Sequence, residues 1–193
     1  TNRSNRRQQR YGSAMAVCSG VEVLTSYGRE LIAGLDLPAD VFLVFDVPHL
    51  HAFTSLPRLQ HRGRVLVVTA NPSLPYLRDL VDLAPDGLIA MPASPNEIRR
   101  YLLRVASGER LHLLPPLEAN PLTPLERAVL RHLALGLDNG QIARELGQTK
   151  KTVSNRVSEV CAKLGVRGRT QAALHYLGLR HERTPGNHPG LAG

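Results

Sequence analysis

The chain of 193 residues carries 24 Lys and Arg against 16 Asp and Glu, a formal charge of +8, with 42% hydrophobic residues but only 4% aromatics. That length holds one large domain or two small ones, and no run nears the roughly 18 consecutive apolar residues of a bilayer span. Cys18 and Cys161 stand far apart with no CxxC pair, which argues against a disulfide scaffold or a thiolate metal cage, and the absence of Trp leaves little to line a large aromatic pocket.

The first ten residues hold Arg3, Arg6, Arg7 and Arg10 and no acid. They lack the apolar core of a secretory signal and read as one solvated helix face, so a soluble, cytoplasmic protein with no membrane partner is expected. The stretch before Val21 reads as a first helix. Short β-branched runs then alternate with segments of helical spacing, the pattern of a parallel sheet with crossover helices. The strands are Val21–Leu24, Val41–Phe45, Val65–Val68 and Gly87–Ala90. Between them Tyr27–Leu35, Pro75–Leu83 and Pro95–Val105 read as helices, the last opened by Ser94 as N-cap with Glu97 completing a capping box. Residues 48–62, with two prolines and two histidines near its start, read as loop plus a short helix. From His112 three prolines in LLPPLEANP mark a semi-rigid connector.

Four helical stretches follow in under 60 residues. Thr123 and Glu126 form a capping box around Pro124, and Val129, Leu130, Leu133 and Leu137 give the buried face of the first helix. Asp138 with Gln141 opens a second helix that runs to Leu146 and stops at Gly147. Thr149 caps a third that ends at Gly165, and the fourth runs from Thr170 to about Leu177. The tight turn Gly147-Gln148-Thr149 makes the second and third a helix-turn-helix, whose second member enters a DNA major groove. At about 100° per residue, Val153, Val157, Val160 and Leu164 share one arc of the third helix, and Lys151, Asn155, Ser158 and Ala162 lie opposite. Asn pairs bidentately with adenine, Lys with guanine or phosphate, and Ser reads less selectively. Lys150, Thr152, Arg156, Lys163, Arg167 and Arg169 flank that face and suit phosphates.

Charge follows the same division. Residues 11–121 hold nine basic and eleven acidic side chains, whereas residues 122–193 hold eleven against five. Phosphate neutralisation dominates non-specific affinity, so a basic C-terminal third behind a slightly acidic body suits double-stranded DNA. Residues 181–193, rich in Pro and Gly, read as a flexible tail. His175, His181 and His188, or His49 and His51, lack a supporting Cys or carboxylate, so no metal and no cofactor is expected. No nucleophile, base and orienting group recur at interpretable spacing, so an enzyme is not expected.

The segment from Arg64 to Leu111 resembles the fourth strand through fifth helix of a bacterial response-regulator receiver domain, with Thr69 at the switch-threonine position. Receivers accept a phosphoryl group on an aspartate, using an acidic pair that holds Mg²⁺ and a lysine that pairs with the acyl phosphate. This chain departs at each position. Met91-Pro92 stands where the family has Lys-Pro, a site where receivers place a cis proline. The acidic pair would fall near Asn2 and Arg3, and Asp46 is the one candidate acceptor, out of register by one place. The first receiver strand, central in the order 2-1-3-4-5, is missing. The chain begins with Thr, and an incomplete or processed N-terminus is the preferred account; a rearranged four-stranded sheet is the alternative.

The segment from Leu122 to Leu179 is similar to the LuxR/FixJ-type DNA-binding domain, through LTPLERAVL, GLDNGQIA, TVSNRV and KLGVRGRT in that order. The resemblance implies that Ser154, Asn155 and Ser158 read bases beside Lys151, and that Glu126 pairs with Arg169 as a structural tie. It also implies that the fourth helix, with Ala172, Ala173, Tyr176 and Leu177, mediates a homodimer, packing on its own core being the competing use. The expected architecture is a degenerate receiver-like α/β domain at 1–112 with a flavodoxin-like parallel sheet, a linker at 113–121, an all-α four-helix LuxR-type domain at 122–180, and a tail at 181–193. The expected function is sequence-specific transcription regulation by an atypical, NarL-like response regulator acting without aspartyl phosphorylation, its input a protein or small-molecule ligand at the receiver-like domain. The alternatives are a conventional phospho-switch with Asp46 as acceptor and a ligand-sensing LuxR-type regulator.

Overall fold

The computed structural model describes residues 40–47, 49–90, 92–117 and 121–179, with the backbone of 16–18 and 21–23. The N-terminal arginines, the helix expected at Tyr27–Leu35, Met91 and the tail from 181 lie outside the described residues. The chain divides into two compact units, Thr1–Asn120 and Pro121–Gly193.

The first unit is an α/β sheet. Its strands are β1 (Ala16–Cys18), β2 (Val21–Val23), β3 (Val41–Phe45), β4 (Arg64–Val68), β5 (Gly87–Ile89) and β6 (Leu111–Leu113). Its described helices are α1 (His51–Leu59), α2 (Leu74–Asp82) and α3 (Pro95–Ala106). The strands lie in the order β1-β2-β3-β4-β5-β6, parallel throughout from β2 to β6, with β1 antiparallel to β2. β3 and β4 pair in full register from Val41 opposite Arg64 to Phe45 opposite Val68.

Burial on both faces explains why these strands read as unbroken apolar runs. In β3, Val41 and Leu43 join Leu66, Ile89 and Leu111 in one cluster, closed by Ile98, Leu102 and Val105 of α3. The alternating residues Phe42 and Val44 are equally buried and, by the period of two, face the other side. Ser94 caps α3 through the expected box: its hydroxyl accepts from the Glu97 amide and its own amide donates to the Glu97 carboxylate.

Three expectations change. The stretch before Val21 contributes β1 rather than a helix at Ala16–Cys18; only Ser19 and Gly20 separate it from β2, the spacing of a tight hairpin. The presumed connector begins with a strand, since Leu111–Leu113 pairs with β5 and the Ala90 amide donates to the Leu113 carbonyl at 2.9 Å. Three residues are too short to show a period, yet without them the β5 edge would offer unpaired backbone groups. Finally, β2 pairs directly with β3 through Val23 and Leu43, so the described sheet leaves no gap for the missing central strand and has the rearranged order that is the alternative expectation.

The second unit is all-α: α4 (Pro124–Ala134), α5 (Asn139–Glu145), α6 (Lys150–Lys163) and α7 (Arg169–Tyr176). Thr123 and Asp138 each head a complete capping box, and the Thr149 hydroxyl accepts from the Thr152 amide. Gly147 turns the chain between α5 and α6 at φ 61°, a left-handed conformation that a Cβ would disfavour.

Gly63 has a different reason to be glycine. The chain enters β4 by passing against Asp40, whose carbonyl accepts from the Arg64 amide at 2.8 Å, and a Cβ at Gly63 would sit 1.9 Å from that same oxygen. Gly63→Ala is therefore expected to destabilise the sheet unit by about 1–3 kcal/mol. Hydrogen exchange of the β3 and β4 amides would report the loss, with α4–α7 protection unchanged.

Candidate nucleic-acid interface

The sequence of α6 divides it lengthwise. Val153, Val160 and Cys161 are buried and Val157 and Leu164 half-buried, while Lys151, Ser154, Asn155, Ser158 and Ala162 are exposed. The buried side packs against α4, α5 and α7. Cys161, absent from the expected core arc, belongs to it, and burial pushes its thiol pKa up, keeping it protonated. The exposed side carries only short or cationic groups, the steric requirement for approach to base edges. The Ser158 hydroxyl donates to the Ser154 carbonyl at 3.3 Å, leaving its oxygen to accept from outside.

The flanking cations divide into two groups. Lys150 and Arg167 are exposed, and half-buried Arg156 donates from Nε to Gln148 Oε1 at 3.4 Å. Thr152 is half-buried, its hydroxyl 2.9 Å from that of Thr149. Lys163 and Arg169 are exposed and also bond within the unit. Glu126 pairs with Lys163, whose Nζ lies 2.8 Å from both carboxylate oxygens, and not with Arg169 as the resemblance implied. Lys163 is the last residue of α6 and so arrives over the first turn of α4, whereas the Arg169 guanidinium donates to the Leu137 carbonyl and, at 3.5 Å, to Asn139 Oδ1.

In α7, Ala172 and Tyr176 are fully buried in the unit's own core, which removes them from any surface between copies; Ala173 and Leu177 are half-buried. Leu174, which the sequence reading passed over, is 40% exposed beside them. The run Ala172-Ala173-Leu174 in the middle of α7 carries no signal that distinguishes these roles.

The second place of chemical interest is the carboxyl end of β3. Asp46 is fully buried, and its oxygens are taken up by its own fold. Oδ1 accepts from the Ala52 amide in the first turn of α1 at 3.0 Å; Oδ2 accepts from the Thr69 hydroxyl at 2.9 Å and the Tyr76 hydroxyl at 2.5 Å. Tyr76 in turn accepts from the Leu50 amide at 2.7 Å. Burial, and then the carboxylate beside it, push the Tyr76 hydroxyl far above the usual phenol range, so it stays a donor. The partnership of Asp46 with Tyr76, 30 positions apart, was not visible in the sequence. Among the described residues no group of three or more His, Cys, Asp or Glu is placed to hold a metal, and no helix is long and apolar enough to cross a membrane. His181 and His188 lie outside the described residues.

Glu126 joins two helices, because it closes the α4 capping box through the Thr123 amide at 2.8 Å and holds Lys163 at the end of α6. Burial raises its carboxyl pKa, but the Lys163 ammonium and the Thr123 amide and hydroxyl outweigh that and leave it below the usual range. A folded-state pKa below the unfolded one stabilises above the ordinary Glu value of about 4.3, and this stabilisation disappears as pH falls through the folded value. Hydrogen-exchange protection of α4 and α6 should therefore drop on acidification below about pH 4 in the wild type, and the drop should be smaller in Glu126→Gln. Glu126→Ala should cost about 1–3 kcal/mol at neutral pH.

Residues 120–176 match the family model of bacterial regulatory proteins, luxR family. The chain is 31% identical over 169 residues to the probable transcriptional regulatory protein SgaR of Hyphomicrobium methylovorum, covering 80% of this chain and 79% of that one. It is 28% identical over 166 residues to the nitrate/nitrite response regulator protein NarL of Escherichia coli K12, covering 76% of each. A solved structure of RcsB from Salmonella enterica serovar Typhimurium bound to promoter rprA is 24% identical, with a TM-score of 0.49 over 79% of this chain and 80% of that one. The chain belongs to the LuxR family of NarL-like response regulators, DNA-binding transcription regulators with a C-terminal helix-turn-helix.

Proposed function

We propose that the protein binds double-stranded DNA sequence-specifically as a homodimer, with α6 in the major groove, and that it does so without aspartyl phosphorylation. The observation that carries the first part is the lengthwise division of α6: valines inward, Lys151, Ser154, Asn155 and Ser158 outward. In this reading Asn155 pairs with a base edge, Lys151 reaches guanine or phosphate, and Ser154 and Ser158 make less selective contacts. Lys150, Thr152, Arg156, Lys163, Arg167 and Arg169 fix register on the phosphates, Lys163 and Arg169 through the exposed part of side chains that also bond within the fold. Two copies would read half-sites about one helical turn apart, joined through the Ala173, Leu174 and Leu177 side of α7.

The second part rests on Asp46. A phosphoryl acceptor needs an accessible oxygen, a metal beside it and a fixed cation. Here three internal donors occupy the carboxylate, and the sequence supplies Met91 where the family's lysine would stand. An input through a bound partner or ligand fits this geometry better than a covalent one.

Asn155→Ala should cost about 1–3 kcal/mol at a cognate operator in gel-shift titrations, and Lys151→Ala should weaken binding more evenly across sequences. Equal binding of all three proteins to every fragment would overturn the assignment. Incubation with acetyl phosphate and Mg²⁺ should leave the intact mass unchanged; a phosphoryl adduct lost in Asp46→Asn would establish the conventional switch.

A further inference from the structure

We propose that the cleft at the carboxyl ends of β3, β4 and β5 is a binding site for an uncharged, largely apolar small organic molecule. It encloses about 520 Å³, and Phe45, Val47 and Val68 line it beside three alanines and two prolines. Small-molecule sites have volumes of about 300–1,000 Å³ and mostly apolar walls. In open parallel sheets they sit outside the carboxyl ends of the strands, as this one does.

The lining decides the ligand class. Among the described residues no ionisable side chain lines the cleft, so these walls offer a phosphate, a metal ion or a charged metabolite no counter-charge for the hydration it would lose. Among the described residues Thr69 is the one polar side chain in the wall, and it is already engaged: its hydroxyl donates to Asp46 and accepts from the Asn71 amide at 3.2 Å. Asp46, between Phe45 and Val47 in the chain, is sealed beneath its donors. What remains open among the described residues is apolar, and Val47, 67% exposed, is part of that contiguous wall and does not stand alone. The space exists because the residues around it are short, and hydrogen-bonded strands hold it open: the Asp46 amide donates to the Val68 carbonyl and the Thr69 amide to the Ile89 carbonyl, each at 2.9 Å. The site is thus preformed. This proposal does not rest on the DNA reading, and either can fail alone.

The test is a titration of the full chain with Nile red, an uncharged apolar dye, read by fluorescence and by amide chemical shifts. Saturable uptake of one dye per chain is expected, with shifts at Phe45–Val47, Val68–Asn71 and Ala90–Ala93. Ala70→Trp, made at an exposed rim position, should weaken uptake at least tenfold without moving the thermal midpoint. Ala93→Phe should act likewise from inside; should it fail to fold, the rim variant and the shifts decide. Uptake that does not saturate, that persists in Ala70→Trp, or that shifts the amides around Leu174 in place of these would overturn the proposal.

Discussion

A helix that is to lie in a groove of another molecule must be held entirely from one side, and that constraint shapes the whole second unit. Burial of Val153, Val160 and Cys161 supplies the hold, each such side chain contributing about 1.5–3 kcal/mol when fully removed from water. Everything around α6 sets its position. The left-handed Gly147 aims it, Thr149 satisfies its first turn, and the Glu126–Lys163 pair fastens its far end to the start of α4. The surrounding helices α4, α5 and α7 leave the opposite side bare.

The first unit solves another problem. A carboxylate at a strand end in a parallel sheet is ordinarily the place for chemistry, because loops converge there and helix N-termini attract negative charge. In this chain the same position is spent on cohesion. Asp46 draws the start of α1, the threonine after β4 and the tyrosine of α2 together, and Tyr76 passes the connection on to Leu50. The neighbouring space, freed of charged groups, becomes an apolar cleft.

The second unit was the more legible in sequence, for a physical reason. Helix boundaries there depend on local devices: the boxes at Thr123–Glu126 and Asp138–Gln141, the cap at Thr149 and the glycine after each helix all act within four residues. The outward side of α6 follows from a 3.6-residue period. The partner of Glu126 did not follow, because Lys163 and Arg169 are both cations near the end of α6 and only three-dimensional reach separates them. In the first unit the strands Val41–Phe45 and Arg64–Val68 announce themselves by composition. β1 and β6, three residues each, fall below the length at which alternation can be seen, and their existence depends on a neighbouring edge that needs pairing. The closure of Asp46 depends on contacts 23 and 30 positions away, which no local pattern encodes.

The Glu126–Lys163 pair has a consequence for thermodynamics in solution. Lys163 faces a carboxylate of its own fold, so that pair adds no net charge for a polyanion to meet, whereas Arg169, bonded to the uncharged Leu137 carbonyl and Asn139 amide, keeps its full charge. The count of basic side chains in this unit therefore overstates the charge it can offer, by the one already balanced. Under the proposed DNA reading, added salt would act through the exposed cations around α6, among them Lys150, Lys151 and Arg167, and leave the balanced pair at its far end largely untouched.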